Sequence, residues 1–395
     1  EKVNGIVDYA EACVGSKYAY YVGWFLTIIY YPCLTSVLSW LSARYTLVFI
    51  TSIAPDFPLL GLGAAAGAET VLGPECMSLA MFYMCCAYAV NALSPKLAGK
   101  LQVSTTIIKL IPLFLMAIVG IVVGIANGTL ANNFNTLADV GTTSTSPLFA
   151  SVCATAFAYE GWIIATSINA ELKDAKKNLP RALVIGAIII IATYIFYYVG
   201  VAGGATNQEL IDSGATVAFI NVFGNVLGNI LNLFIAISCI GTMNGLMLGC
   251  VRGLYSIAVR GRGPAPHVFS QIDKETNMPH NSAIVGLLLC GFWGLYFFLA
   301  NLAGTWSGPF VFDSSELPII TIYMLYLPIF VMWIKKATDE TAMRRYVLPL
   351  LAICGSLFMI YASIMGHGIA CFWYLIVFAA VMAVGFAFSK EKPIN

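Results

Sequence analysis

The chain has 395 residues, of which 59% are hydrophobic and only 10% charged, with a mean hydropathy of +0.85. Soluble domains carry about 25% charged residues, so this composition excludes a large soluble core and implies a polytopic membrane protein. The net charge of +1 offers no basic surface for nucleic acid, and no glycine-rich loop ends in Lys-Ser or Lys-Thr, which argues against ATP-driven pumping.

Residues 1–16 read as a cytoplasmic loop or short helix, followed by a single transmembrane domain over 17–395. Apolar segments fall at about 18–47, 77–93, 103–127, 147–172, 181–203, 218–250, 282–302, 317–334, 347–365 and 369–389. The stretches 1–17, 94–102, 173–181, 252–274, 335–345 and 390–392 carry 18 of the 20 Lys and Arg residues. The alternate stretches 48–76, 128–147, 204–217, 303–316 and 366–368 carry none. By the positive-inside rule, ten crossings put both termini in the cytoplasm. The two remaining cations are Arg44, expected near the outer end of its long helix, and Lys109. Residue 1 is Glu and nothing resembles a signal peptide, so the chain reads as trimmed, beginning in a cytoplasmic loop.

In the first segment, Tyr30-Tyr31-Pro32 reads as a kink. Cys76 stands in an outer loop, where a packed thiol is favoured over a bridge to a partner subunit. Lys109 lies seven residues past Gln102, roughly 10 Å into the membrane. That depth leaves two readings open, a snorkelling side chain and a functional cation.

The segment from Pro147 to Lys173 holds the hexapeptide Phe157-Ala158-Tyr159-Glu160-Gly161-Trp162 at its centre. Glu160 is about 20 Å from either end, near the bilayer midplane, too deep to snorkel. An ionisable group there is a candidate functional site, and Gly161 beside it predicts an interrupted helix. Such a break exposes carbonyls at the negative end of one half-helix dipole, where a cation or ammonium group is attracted. In the segment 218–250, Ser238 to Gly245 (SCIGTMNG) concentrates small and polar residues, which suits close helix packing.

Segment lengths suggest a repeat. A very long segment (18–47) followed by two ordinary ones parallels another very long segment (218–250), of opposite orientation, followed by two ordinary ones. This is an inverted-repeat pattern whose front half lacks its first two members. The 11 cysteines are scattered through apolar stretches, and His267, His280 and His367 stand apart from cysteines and carboxylates in sequence. Neither a metal site nor a cofactor is expected.

The stretch FAYEGWIIATSINAELKDAKKNLPRA, Phe157 to Ala182, resembles the signature of the amino acid–polyamine–organocation superfamily. Lys96 to Leu110, Ser238 to Gly245 and Arg252 to Ala283 resemble stretches of its L-type amino acid transporter branch and bacterial relatives. The resemblance implies an all-α, five-plus-five inverted-repeat transporter, of which this chain supplies ten helices, one broken at 157–162. It also implies that the substrate ammonium meets the carbonyls of Phe157, Ala158 and Tyr159, with Phe157 and Trp162 gating or lining the pocket. Glu160 departs from the family's small or neutral residue. An acid there selects cationic substrates, carries a coupled proton, or lies outside the pocket.

Lys109 matches a lysine occupying the place of a cation in sodium-coupled relatives, and is expected to bridge toward Ser238, Thr242 and Asn244. The amides that hold the substrate carboxylate in the family come from its first helix, which this chain does not include, so half a binding site is expected here. The implied activity is sodium-independent exchange or proton-coupled transport of L-amino acids by alternating access. The alternatives are cationic amino acids or polyamines as substrates, or an ion channel lined by Glu160 and Lys109. No nucleophile–base pair supports an enzyme. The implied partners are an amino acid and the lipid bilayer; oligomeric state and an accessory subunit are undecided.

Overall fold

The computed structural model describes residues 5–54, 74–136, 146–167, 174–302, 306 and 308–392. Glu171-Leu172-Lys173 of the resemblance stretch, and parts of the charge-free stretches 48–76, 128–147 and 303–316, lie outside the described residues. All regular structure described is helical. In lipid every backbone N–H and C=O must be satisfied within the protein, and a helix does so within one segment. In chain order the helices are α1 (Gly5–Cys13), α2 (Ser16–Ile53), α3 (Pro74–Leu93), α4 (Pro95–Ala126) and α5 (Thr129–Asn135). There follow α6 (Pro147–Ala158), α7 (Trp162–Ser167), α8 (Ala175–Gly204), α9 (Asn207–Ser213) and α10 (Ala215–Ala258). The last are α11 (Pro266–Phe269), α12 (His280–Leu302), α13 (Leu317–Lys336), α14 (Met343–His367) and α15 (Ile369–Ala387).

Among the described residues, nine helices are long and apolar enough to cross a membrane; the tenth apolar segment is split into α6 and α7. Burial separates their roles. The most apolar window of α2 is 94% buried, whereas those of α8 and α15 are 6% and 11% buried despite higher hydropathy. Apolar side chains on the outside of a bundle belong against lipid tails rather than water.

α2 with 38 residues and α10 with 44 are the longest of the nine, and α4 with 32 and α8 with about 30 are longer than the ordinary segments expected there. The 44-residue α10 is itself interrupted at Gly224, whose φ of 79° and ψ of 169° leave the helical region. Cys76 lies not in a loop but near the start of α3, fully buried, with its sulfur 4.0 Å from the Trp40 carbonyl.

At the centre, α2 and α10 pack along each other. Small residues let them approach: a Cβ on Gly249 would lie 2.8 Å from the Tyr31 ring, and one on Gly253 would lie 2.8 Å from Thr27. α4 and α8 come closer still. A Cβ on Gly120 would meet the Gly200 carbonyl at 2.4 Å, and one on Gly203 would meet the Gly120 carbonyl at 2.3 Å. Their backbones touch with no side chain between, as in small-xxx-small seams.

At the end bearing the basic loops, α1 packs beneath α2 and α7, and the Arg260 guanidinium pairs with the carboxylate of Asp8. Arg260 also lies 3.8 Å from Glu11. The C-terminal tail is tied to the same loop, where Lys392 N–H donates to the Gly261 carbonyl at 2.7 Å. Between α11 and α12, Asp273 accepts the N–H groups of Thr276 and Glu275, at 2.9 and 3.0 Å, bonds that hold its carboxyl below the usual aspartate range.

Candidate functional site at the broken helix

α6 ends at Ala158 with its last amides turned back on themselves: Tyr159 N–H reaches the Thr155 carbonyl at 3.0 Å and Glu160 N–H the Phe157 carbonyl at 3.3 Å. The chain then passes through Gly161 at φ +115° and restarts as α7 at Trp162. Nothing lies within 4 Å of where a Cβ on Gly161 would sit, so conformation rather than crowding calls for glycine here.

Glu160 points at α2. The Tyr30 hydroxyl donates a hydrogen bond to Glu160 Oε1. Tyr30 is the last residue of a π-helical turn, Leu26–Tyr30, inside α2. Pro32 explains the irregularity, because proline has no N–H to give to the carbonyl four residues back, that of Ile28. That carbonyl instead accepts the indole N–H of Trp293 on α12 at 2.8 Å. Such π-helical turns inside α-helices are frequent at functional sites.

α13 closes the other side. The rings of Trp162 and Tyr326 stand 5.6 Å apart, and Tyr323 lies 5.9 Å from Tyr326. Tyr30, adjacent Tyr31, Tyr323 and Tyr326 thus bring four tyrosines toward the break from α2 and α13. Tyr326 is 4% exposed, and its hydroxyl has no hydrogen-bond partner among the described residues. An unpaired buried polar group costs about 1–3 kcal/mol, which a ligand offering an acceptor would offset.

The six residues of the hexapeptide do not all face one way. Phe157 is half-buried between the main core and the packing around Trp40 and Phe297. Tyr159 is exposed on the far side, 5.0 Å from the ring of Tyr194 on α8. The Tyr194 hydroxyl donates to the Ala158 carbonyl at 3.1 Å. Of the carbonyls assigned to a substrate ammonium by resemblance, those of Phe157 and Ala158 therefore already accept bonds within the protein.

Lys109 is half-buried on α4, which packs against α10. No hydrogen bond from Lys109 to Ser238 or Thr242 is present among the described residues. Thr242 gives its hydroxyl to the Ser238 carbonyl of its own helix at 3.0 Å. Asn244 is buried and knots three helices together: it accepts from Asn91 of α3 at 2.8 Å and donates to the Ala98 carbonyl of α4 at 3.2 Å. A Cβ on Gly241 would sit 2.3 Å from the Thr105 hydroxyl. Ser238 to Gly245 is thus a close-packing seam, with Lys109 one turn along it.

Sequence reasoning missed Tyr30, Tyr323 and Tyr326 as neighbours of Glu160. The only trace was Tyr30-Tyr31-Pro32, read as a kink; nothing in the run of α13 marks its two tyrosines.

Residues 2–388 match the amino acid permease family. The chain belongs to this family. Its members are membrane transporters rather than enzymes, within the amino acid–polyamine–organocation superfamily. The chain is 26% identical to the serine/threonine exchanger SteT of Bacillus subtilis, an alignment covering 99% of this chain and 83% of that protein. It is 28% identical to the Asc-type amino acid transporter 1 of Mus musculus, over 73% of this chain and 51% of that protein. With the large neutral amino acids transporter small subunit 2 of Oryctolagus cuniculus the identity is 27%, over 70% and 50%. The chain therefore spans about half the length of these mammalian relatives.

Proposed function

We propose that the protein is a sodium-independent secondary transporter of L-amino acids, an exchanger or proton-coupled porter that works by alternating access. The observation that carries this reading is the interruption between α6 and α7, with Glu160, Tyr30 and an unpaired Tyr326 hydroxyl gathered beside it in the middle of an apolar run. Helix breaks at membrane depth are tolerated where backbone polar groups line a cavity or a substrate site. Family membership supports the same reading, and the Bacillus relative, a serine/threonine exchanger, makes serine and threonine the first substrates to try. In this reading the segment Phe157 to Trp162 meets the substrate from the side that carries Glu160 and Trp162, and Lys109 biases gating through α10. Both termini are cytoplasmic, residues 17–395 form one transmembrane domain in the plasma membrane, and the helices follow a five-plus-five inverted repeat.

The engagement of Glu160 by Tyr30 supports a role in pH response, with neutral substrates preferred. Selection of cationic amino acids or polyamines is the second reading, favoured by the depth of the same carboxylate.

The test is uptake of labelled amino acids into liposomes holding the longest protein its reading frame encodes. Saturable uptake that is stimulated by unlabelled amino acid inside and indifferent to sodium is the expected result. Unsaturable flux with large unitary currents would replace the transporter with a pore.

A further inference from the structure

We propose that Cys153, Glu316 and His367 form a binding site for a divalent transition-metal ion of the zinc type, at the end of the bundle opposite the basic loops. The sequence reading expected no metal site because these residues are far apart in the chain. The fold gathers them from the middle of α6, the residue before α13 and the last residue of α14. One donor atom from each lies within 4.8 Å of the others. His367 Nε2 and Glu316 Oε2 are 3.0 Å apart, and Cys153 Sγ lies within 4.8 Å of a donor atom of each. Cys153 is fully buried, while the side chains of His367 and Glu316 are 13% and 18% exposed. The group is largely shielded from water yet open on its Glu316–His367 side.

Thiolate, imidazole and carboxylate are the three ligand types of zinc, and three protein ligands with a water in the fourth position make a complete tetrahedral set. Donor atoms around such an ion stand roughly 3.3–3.8 Å apart, so the widest separation here need close by only about 1 Å. The surroundings already hold the ligands in place. The Asp313 carboxylate accepts the Glu316 N–H at 2.9 Å and the Ser315 N–H at 2.6 Å, fixing the turn that carries Glu316. A Cβ on Gly366 would lie 3.0 Å from the Ala150 backbone nitrogen, so α14 and α6 are in contact one residue before His367. The sulfur ligand favours zinc and its neighbours over magnesium or calcium. A bound ion would tie α6, half of the broken helix, to α13, which carries Tyr326, and so restrain any movement of one against the other.

The experiment titrates the purified 395-residue chain with cobalt(II) as a spectroscopic probe, followed by zinc. The expected result is a single equivalent of cobalt with the visible bands of low coordination and a thiolate-to-cobalt charge-transfer band, displaced by zinc and not by magnesium. Cys153→Ser should abolish the charge-transfer band, and His367→Asn and Glu316→Gln should weaken binding roughly tenfold or more. Zinc should also raise the unfolding temperature of the parent and not that of the Cys153→Ser, His367→Asn double variant. Absence of the charge-transfer band in the parent, or its persistence in Cys153→Ser, overturns the proposal. Should those variants fail to fold, Glu316→Gln decides, because it keeps the carbonyl oxygen facing His367; unchanged metal affinity there also overturns it.

Discussion

Tyr30 and Glu160 meet across 130 positions of sequence, and their hydrogen bond joins the irregular turn of α2 to the break between α6 and α7. The carboxylate could be found from sequence because a charge at that depth in an apolar run has few structural uses. Its partners could not, since a tyrosine in an apolar segment looks the same facing lipid, core or pocket until the helices are packed. Glu160→Gln keeps an acceptor for the Tyr30 hydroxyl and removes the charge. Uptake measured across pH should lose its pH dependence in this variant while substrate preference stays as in the parent; a shift from cationic to neutral substrates would instead assign the carboxylate to recognition. Lys109→Ala makes a second test. Its ammonium gives no hydrogen bond to Ser238 or Thr242 among the described residues, so its removal should leave folded yield nearly unchanged. Uptake, by contrast, should fall roughly tenfold, a shift of about 1.4 kcal/mol in a conformational equilibrium that differential contacts set. Parental uptake would return Lys109 to a snorkelling role.

At the scale of elements, hydrophobicity marked where the long apolar helices lie but not the short ones α5, α9 and α11 between them, nor where most of the long ones end. α10 runs on through Gly224 because the residues on both sides are equally apolar, and the interruption shows only in one glycine's backbone angles. The α4–α8 seam was also hidden. Gly120, Gly124, Gly200 and Gly203 carry no signal of their own in an apolar run, and only their pairing across two helices gives them meaning. Gly200→Ala would push a methyl to 2.2 Å from the Met116 carbonyl. It should destabilise the protein by about 1–3 kcal/mol in a denaturant titration. Gly186→Ala in the same helix has open space around it and should be neutral or slightly stabilising by comparison. Equal stability of the two variants would show that the seam yields at no cost.

For the molecule as a whole, the alternation of basic and charge-free stretches was the most legible feature, since it depends on counting rather than packing. What it could not give is how the basic end is closed. Arg260, in the loop after α10, pairs with Asp8 and approaches Glu11 on α1, which in turn packs beneath α7. The side chains of Arg260 and Asp8 are 19% and 10% exposed, so the pair is shielded from most screening and its rupture removes one of the ties that hold α1. Arg260→Ala should therefore release α1. Hydrogen exchange over Gly5–Cys13 should accelerate by at least tenfold while exchange in α2 stays at the parental rate. Uniform acceleration through α2 would mean that α1 and the core open together.

The π-helical turn in α2 and the gap between α6 and α7 face each other at one level of the bundle, joined by the bond from Tyr30 to Glu160. Regular helices resist bending because each amide is braced by its neighbour a turn away; both helices give up that bracing at the same height. The bundle is therefore scored there like a folded card, and a tilt of either helix should crease along that line rather than spread through its length.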